Sequence, residues 1–389
     1  MFARRVREME FPSLYGIAEL ARGMKDVIYL NVGEPDFTTP SYIIEAAKKA
    51  LDKGYTHYTP DEGIPELREA IAEYYNERYG SDYTLNNVLI TVGATQAIFS
   101  AMMALIDVGD EVIVPDPWYP GYLRSIILAG GKVVSVRQDE EIGFQLDIDE
   151  LNEKISKKTK ALILINPNNP TGSVLTKKQL KSIVEIASDN KFFLIVDEIY
   201  ERFVYEGGFY SIAKFPEIQE RVIIINGFSK TYAMTGWRIG YAIAKKEILK
   251  EMLKVTLAST LCPSSVAQYA ALAALRGPQE IINEIVREFD IRRRIIMEEL
   301  KKIKGIRFVE PKGAFYIFPY IGGYNMKEIE LVKYLVREAK VVTSPGYPFF
   351  GSYGRNHIRI AYTVNKEKLR EAGKRMREAL HKLIDEKTD

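Results

Sequence analysis

Between residues 86 and 245, short runs of Val, Ile and Leu alternate with longer stretches in which apolar positions recur every three or four residues. The runs are VLITV, EVIVP, KVVSV, ALILIN, FFLIVD, RVIIIN and YAIA. Each is short and rich in β-branched residues, the pattern of a strand covered on both faces. Between them, QLKSIVEIASDN sets Leu180, Ile183, Val184 and Ile186 on one helical face, and ATQAIFSAMMALI is apolar almost all round, as a buried helix is. The alternation predicts an α/β fold with a mostly parallel, seven-stranded sheet sandwiched by helices. After Gly277 and Pro278 the pattern changes to a long charged helix, IINEIVREFDIRRRIIMEELKKI, then to the strand candidates AFYIFPY and HIRIAYT and a final helix. That change marks a smaller α+β domain. The expected organisation is an N-terminal segment, 1–40, packing with the small domain, a large domain over 41–289 and the small domain over 290–389.

Composition narrows the partners. A chain of 389 residues exceeds the roughly 250–300 at which one hydrophobic core stops growing, in keeping with two units. Lys and Arg total 54 against 52 Asp and Glu, a net charge of +2, which leaves no footprint for nucleic acid or an anionic membrane and points to small molecules. The single cysteine, Cys262, excludes an intrachain disulfide and a multi-cysteine metal site and reads as a small apolar residue. No window approaches the roughly 20 apolar residues of a membrane span, and the charged start MFARRVREMEFPSLYGIAEL lacks the apolar core of a signal peptide. A cytoplasmic protein is expected. Abundant Lys, Glu and Ile beside few His resemble thermophile usage.

The familiar phosphate and zinc fingerprints are missing from the sequence: no Walker A run, no strand-following G-x-G-x-x-G, no H-E-x-x-H. In open α/β sheets ligands sit beyond the carboxyl ends of the strands. Four strands end in residues with chemistry: VLITV in Gly93-Ala94-Thr95, ALILI in NPNNPTG (166–172), FFLIV in Asp197 with Tyr200 following, and RVIII in Asn226 with Ser229 and Lys230 following. The small-residue turn at Gly93 opens a helix, whose free amides attract an anion such as phosphate. The two prolines of NPNNPTG stiffen the loop and aim Asn169 at a ligand, while Asn166 is placed to satisfy the loop's own backbone. Asp197 closes an apolar run, so its carboxylate needs a cation or several donors. Lys230, with Arg238 further along GFSKTYAMTGWRIG, sits where desolvation and a second positive charge favour the neutral amine that forms a Schiff base. Asn169, Asp197 and Lys230 are each separated by about one βαβ unit, which brings them to one sheet edge. A carboxylate for a pyridinium, donors for a phenolate oxygen and an amine for an aldehyde together describe pyridoxal phosphate.

At these residues the chain resembles the class I/II aminotransferases of fold type I, the aspartate aminotransferase superfamily: NVGEPDF, NPNNPTG, DEIY and AMTGWRIG match its motifs in order over nearly the whole chain. The resemblance implies that Lys230 is the Schiff-base lysine and proton shuttle and that Asp197 pairs with the pyridine nitrogen. It implies that Tyr200 and Asn169 hydrogen-bond the phenolate oxygen and that Tyr119 stacks on the ring. Phosphate would be held by Gly93, Ala94, Thr95, Ser229 and Arg238, with Tyr58 reaching across from a second subunit of a homodimer. Arg359 would grip the substrate α-carboxylate, with Gly33, Tyr119 and Asn169 beside it. His57 and His357 read as bystanders. The implied reaction moves an amino group between an L-amino acid of aspartate, aromatic or alanine type and 2-oxoglutarate by a ping-pong mechanism. A β- or C–S lyase on the same cofactor, or a cofactor-binding regulator, are the alternatives. Family members that prefer aspartate often carry lysine where Thr95 stands, and others carry Trp in place of Tyr119, which argues against strict aspartate specificity. Phe11 and Tyr15 are candidates for an aromatic side-chain pocket.

Overall fold

The structure is a computed structural model that describes residues 2–7, 9 and 14–385. Thirteen strands occur among the described residues: β1 (Ile28–Tyr29), β2 (Val88–Thr91), β3 (Glu111–Asp116), β4 (Lys132–Asp139), β5 (Gln145–Leu146), β6 (Thr159–Ile165), β7 (Phe193–Asp197), β8 (Val222–Gly227), β9 (Gly240–Ile243), β10 (Tyr316–Ile317), β11 (Val341–Val342), β12 (Ser344–Pro345) and β13 (Ile358–Ala361). Eight form the central sheet in the order β2-β9-β8-β7-β6-β3-β4-β5. The five strands from β8 to β4 are mutually parallel, and β9 runs antiparallel to β8 and β2. The seven apolar runs of the sequence are seven of these strands. The expected count is short by one, because β5 is a two-residue antiparallel edge against the end of β4 and has no apolar run to reveal it.

The central strands are buried along their length except at the first residues of β6 and β7, as near-continuous Val/Ile/Leu runs require. Gly93–Leu105 packs on β8 and β9, apolar on nearly all sides. Lys177–Asn190 buries Leu180, Ile183, Val184 and Ala187, with Ile186 at the margin, and its N-terminus is capped by Thr176 Oγ1 accepting from the Gln179 amide at 3.1 Å.

Beyond the central sheet, β10, β13 and β12 form a three-stranded antiparallel sheet, and β1 pairs in parallel with β11. The helix Glu280–Lys301 packs against Lys366–Asp385. Its buried arginines tie the assemblies together: Arg293 donates to Glu206 at 2.8 Å and to the Pro311 carbonyl at 2.9 Å, and Arg292 donates to Asp36 at 2.7 Å and to the Thr363 carbonyl at 2.9 Å. The amides of Lys312 and Gly313 both donate to the Gly172 carbonyl at 2.9 Å, which fastens the start of β10 onto the loop after β6. No described helix is long and apolar enough to cross a membrane.

Candidate active site

Because β3, β6, β7 and β8 are parallel neighbours, the residues that follow them collect at one sheet edge. β2 points the same way, being antiparallel to β9, which is itself antiparallel to β8. Asn166, Asp197, Lys230, Gly93 and Tyr119 therefore share an edge, and β13 brings Arg359 to it from the smaller sheet.

Asp197 ends β7 and is 3% exposed. Its Oδ2 accepts from the Tyr122 hydroxyl at 2.9 Å and its Oδ1 from the Ile199 amide at 3.1 Å. Those donors do not offset desolvation, which pushes the carboxyl up to about 6. A protonated nitrogen beside it would satisfy the carboxylate. Lys230, in the turn after β8, donates from Nζ to the Gly33 carbonyl at 2.7 Å. Burial, helped by the positive charges of Arg238 and Arg359 and opposed by Glu34, lowers its amine to about 8. The amine is thus brought toward the neutral, nucleophilic form.

In the loop after β6, the Asn166 carbonyl oxygen Oδ1 accepts from the Leu175 amide at 2.9 Å, so Asn166 serves the loop backbone. Asn168 closes the turn by accepting from the Thr171 amide at 3.0 Å. Asn169 is buried, and its Oδ1 accepts from Arg359 Nη1 at 2.9 Å. Arg359 Nη2 donates to the Asn31 carbonyl at 2.6 Å, while its Nε has no partner. The guanidinium lies between the rings of Tyr316 and Phe350, 4.7 and 4.8 Å from their centroids. Among the described residues no carboxylate pairs with this buried cation. A carboxylate arriving there would find a fork of donors in a dry setting.

At the start of Gly93–Leu105, Gly93 has φ +73°, and a Cβ on it would lie 2.7 Å from Arg238 Nη2. Gly240 backs the same turn: a Cβ there would stand 2.6 Å from the Ala94 amide nitrogen. Bare glycines thus let the Ala94 amide and the Arg238 guanidinium approach one point, a cradle for an anion. Thr95 is exposed beside it, and Ser229 is buried in the Lys230 turn. Tyr119 sets its ring edge-on to Tyr122, centroids 5.3 Å apart, and folds against Gly121.

Tyr200, also buried, places its hydroxyl 2.7 Å from that of Tyr316. Gly33 is required under this pair, since a Cβ there would fall 1.8 Å from the Tyr316 hydroxyl oxygen. Tyr58 is 83% exposed. Phe11 and the side chain of Tyr15 lie outside the described residues. His357 stands apart from the cluster, stacked on Phe318 with centroids 4.9 Å apart.

Two residues of the cluster escape a sequence reading. Tyr122 lies one helical turn beyond Tyr119, a spacing that hints at a shared face. Tyr316 sits in AFYIFPY, where every side chain reads as core.

A phosphorylated pyridine aldehyde fits this set: an under-compensated buried carboxylate for the ring nitrogen, a desolvated amine for the aldehyde and a glycine-lined cation cradle for the phosphate. The family model for aminotransferase class I and II matches residues 25–376. The chain is 44% identical to an aspartate aminotransferase of Pyrococcus horikoshii over 381 residues, covering 97% of each. It is 43% identical to an aromatic-amino-acid aminotransferase of Thermococcus litoralis, covering 96% of this chain and 97% of that one. The solved structure of the aspartate aminotransferase from Thermus thermophilus with maleate superposes with a TM-score of 0.93 at 37% identity, over 98% of this chain and all of the other.

Proposed function

The chain belongs to the class I and II aminotransferases, and from that premise we propose that it exchanges amino groups between L-amino acids and 2-oxoglutarate in two half-reactions run at the Lys230 edge. It is an aminotransferase of aspartate or aromatic type. Members of the class use pyridoxal phosphate, which when bound supplies an aldehyde to take the amino group and a ring to accept the electron pair left by the departing α-proton. In our reading Arg359 grips the α-carboxylate bidentately, and Asn169, already bonded to it, holds the guanidinium in plane. Lys230 would hold the aldehyde through its nitrogen and, when free, would carry the substrate α-proton, its desolvation favouring the neutral amine that can accept one. Asp197, a buried carboxylate with only two donors, would serve as the counter-ion of a protonated ring nitrogen. Tyr200 and Asn169 serve the phenolate oxygen. Ala94, Thr95, Ser229, Arg238 and the Gly93 turn hold the phosphate, and Tyr119 covers the ring.

We assign residues 41–289 and 290–389 to a large and a small domain, with 1–40 on the small one, and place the enzyme in the cytoplasm as a homodimer in which Tyr58 serves the partner's phosphate. Thr95 is neutral and Arg359 is flanked by aromatic rings, which supports donors beyond aspartate, aromatic ones included.

The observation that carries this reading is the gathering, at one sheet edge, of the buried Asp197 carboxylate, the Lys230 amine held on the Gly33 carbonyl and the buried Arg359 bonded to Asn169. Borohydride reduction of the holoenzyme followed by peptide mapping should label Lys230 alone, and Lys230→Ala should abolish transfer from aspartate, tyrosine, phenylalanine and alanine donors alike. Label elsewhere, or near-normal turnover in the variant, refutes the assignment.

A further inference from the structure

Tyr316 has no part in the reading above, yet it touches three of its members. Its hydroxyl is 2.7 Å from that of Tyr200, the two rings meeting edge-on at 5.6 Å and 88°. The Arg359 guanidinium carbon is 4.7 Å from its ring centroid. Its oxygen covers Gly33, whose carbonyl holds the Lys230 amine. Its backbone pairs in β13 with Ala361, two positions past Arg359.

A phenol carries one hydrogen. Tyr200 therefore cannot both donate to the cofactor's phenolate oxygen and donate to Tyr316; if it serves the cofactor, it must accept from Tyr316. The surroundings favour that order. A guanidinium over the ring draws electron density from the Tyr316 phenol and strengthens its hydroxyl as a donor. Arg359 acts on both phenols but on Tyr316 first, and its guanidinium contacts the Tyr316 ring; burial drives the Tyr200 hydroxyl well above its ordinary value, whereas Tyr316, relieved by Arg359, is pushed only up to about 12.

We propose that Tyr316 is a positioning residue for amino transfer: it donates its hydroxyl hydrogen to Tyr200, leaves the Tyr200 hydrogen free for the cofactor's phenolate oxygen, and links that donor to the Arg359 carboxylate grip. The inference rests on Tyr200 serving the phenolate oxygen. Hydrogen bonds in series polarise one another, so the Tyr200 donor is stronger with Tyr316 behind it than without.

The test is the pH titration of the visible absorbance of the bound cofactor in the holoenzyme, read on Tyr316→Phe, Tyr200→Phe and the double variant. Replacing Tyr by Phe keeps the ring packing, so a purely structural role leaves the midpoint where it is. A donor to an oxyanion eases loss of the proton that the oxyanion helps to hold, so its removal raises the midpoint. Tyr200→Phe is expected to raise it by about one pH unit, Tyr316→Phe by about 0.3 unit, and Tyr316→Phe to add nothing in the Tyr200→Phe background. An unmoved midpoint in Tyr316→Phe overturns the proposal, and so does an undiminished shift in the double variant, which would mean that Tyr316 acts without Tyr200. An unmoved midpoint in Tyr200→Phe sinks the assignment of Tyr200 itself, and the relay with it.

Discussion

The residue whose energetics and chemistry pull hardest against each other is Asp197. Two donors reach its carboxylate, the Tyr122 hydroxyl and the Ile199 amide, and burial still raises it from an ordinary 3.8 to about 6. A carboxyl raised on folding helps the folded chain only while protonated. Between 3.8 and about 6 the folded chain binds a proton that the unfolded chain has lost, so stability falls as pH climbs through that window and the loss is complete above it. For Asp197 the loss amounts to about 3 kcal/mol. The site is thus built for a bound cation at the expense of the cofactor-free protein. Asp197→Asn, in which Tyr122 turns from donor to acceptor, removes the cost. The cofactor-free variant should unfold several degrees above the cofactor-free wild type at pH 8 and at the same temperature near pH 4, while binding pyridoxal phosphate more weakly. Thermal melts followed by circular dichroism at both pH values check this; equal melting at pH 8 contradicts it.

At the scale of elements, the anion cradle is a property of a turn rather than of a side chain. Gly93 holds a left-handed φ of +73° with Arg238 Nη2 only 2.7 Å from where its Cβ would be. Gly93→Ala should therefore lower the melting temperature through backbone strain and, by pushing Arg238 Nη2 out of the cradle, weaken the affinity for pyridoxal phosphate roughly tenfold in a fluorescence titration. Gly109→Ala is the control, because Gly109 has φ +94° with open space around it: it should lower the melting temperature and leave cofactor affinity alone. Elements were legible in the sequence to the extent that their pattern was local. Seven central strands announce themselves as apolar runs, and Asp197 and Lys230 stand out because they follow two of them. β5 does not, since two residues carry no period. Asn166 was separable from Asn169 because a loop that rigid needs one side chain for its own amides. Tyr316 was illegible for the opposite reason: its setting is entirely long-range, the partner hydroxyl lying 116 positions earlier in the chain, and in AFYIFPY a tyrosine looks like packing.

For the molecule as a whole, the proposed homodimer is tested through Tyr58. Tyr58 is 83% exposed. In the proposed two-fold pair each Tyr58 would reach the other chain's phosphate cradle. If the sites are shared in this way, defects on different chains are separable. Lys230→Ala spoils the site to which that chain contributes its lysine, and Tyr58→Ala spoils the partner's. In a mixed dimer both defects then fall on one site, and the other is intact. Random re-association of the two variants, mixed in equal amounts, should leave about a quarter of all sites free of both defects, with a corresponding gain in rate over the average of the separate variants. Tyr58 acting within its own chain would instead leave every site of the mixed dimer with one defect. No activity recovered after co-refolding, with dimers confirmed by sedimentation, would remove Tyr58 from the partner's site and with it the argument for shared active sites.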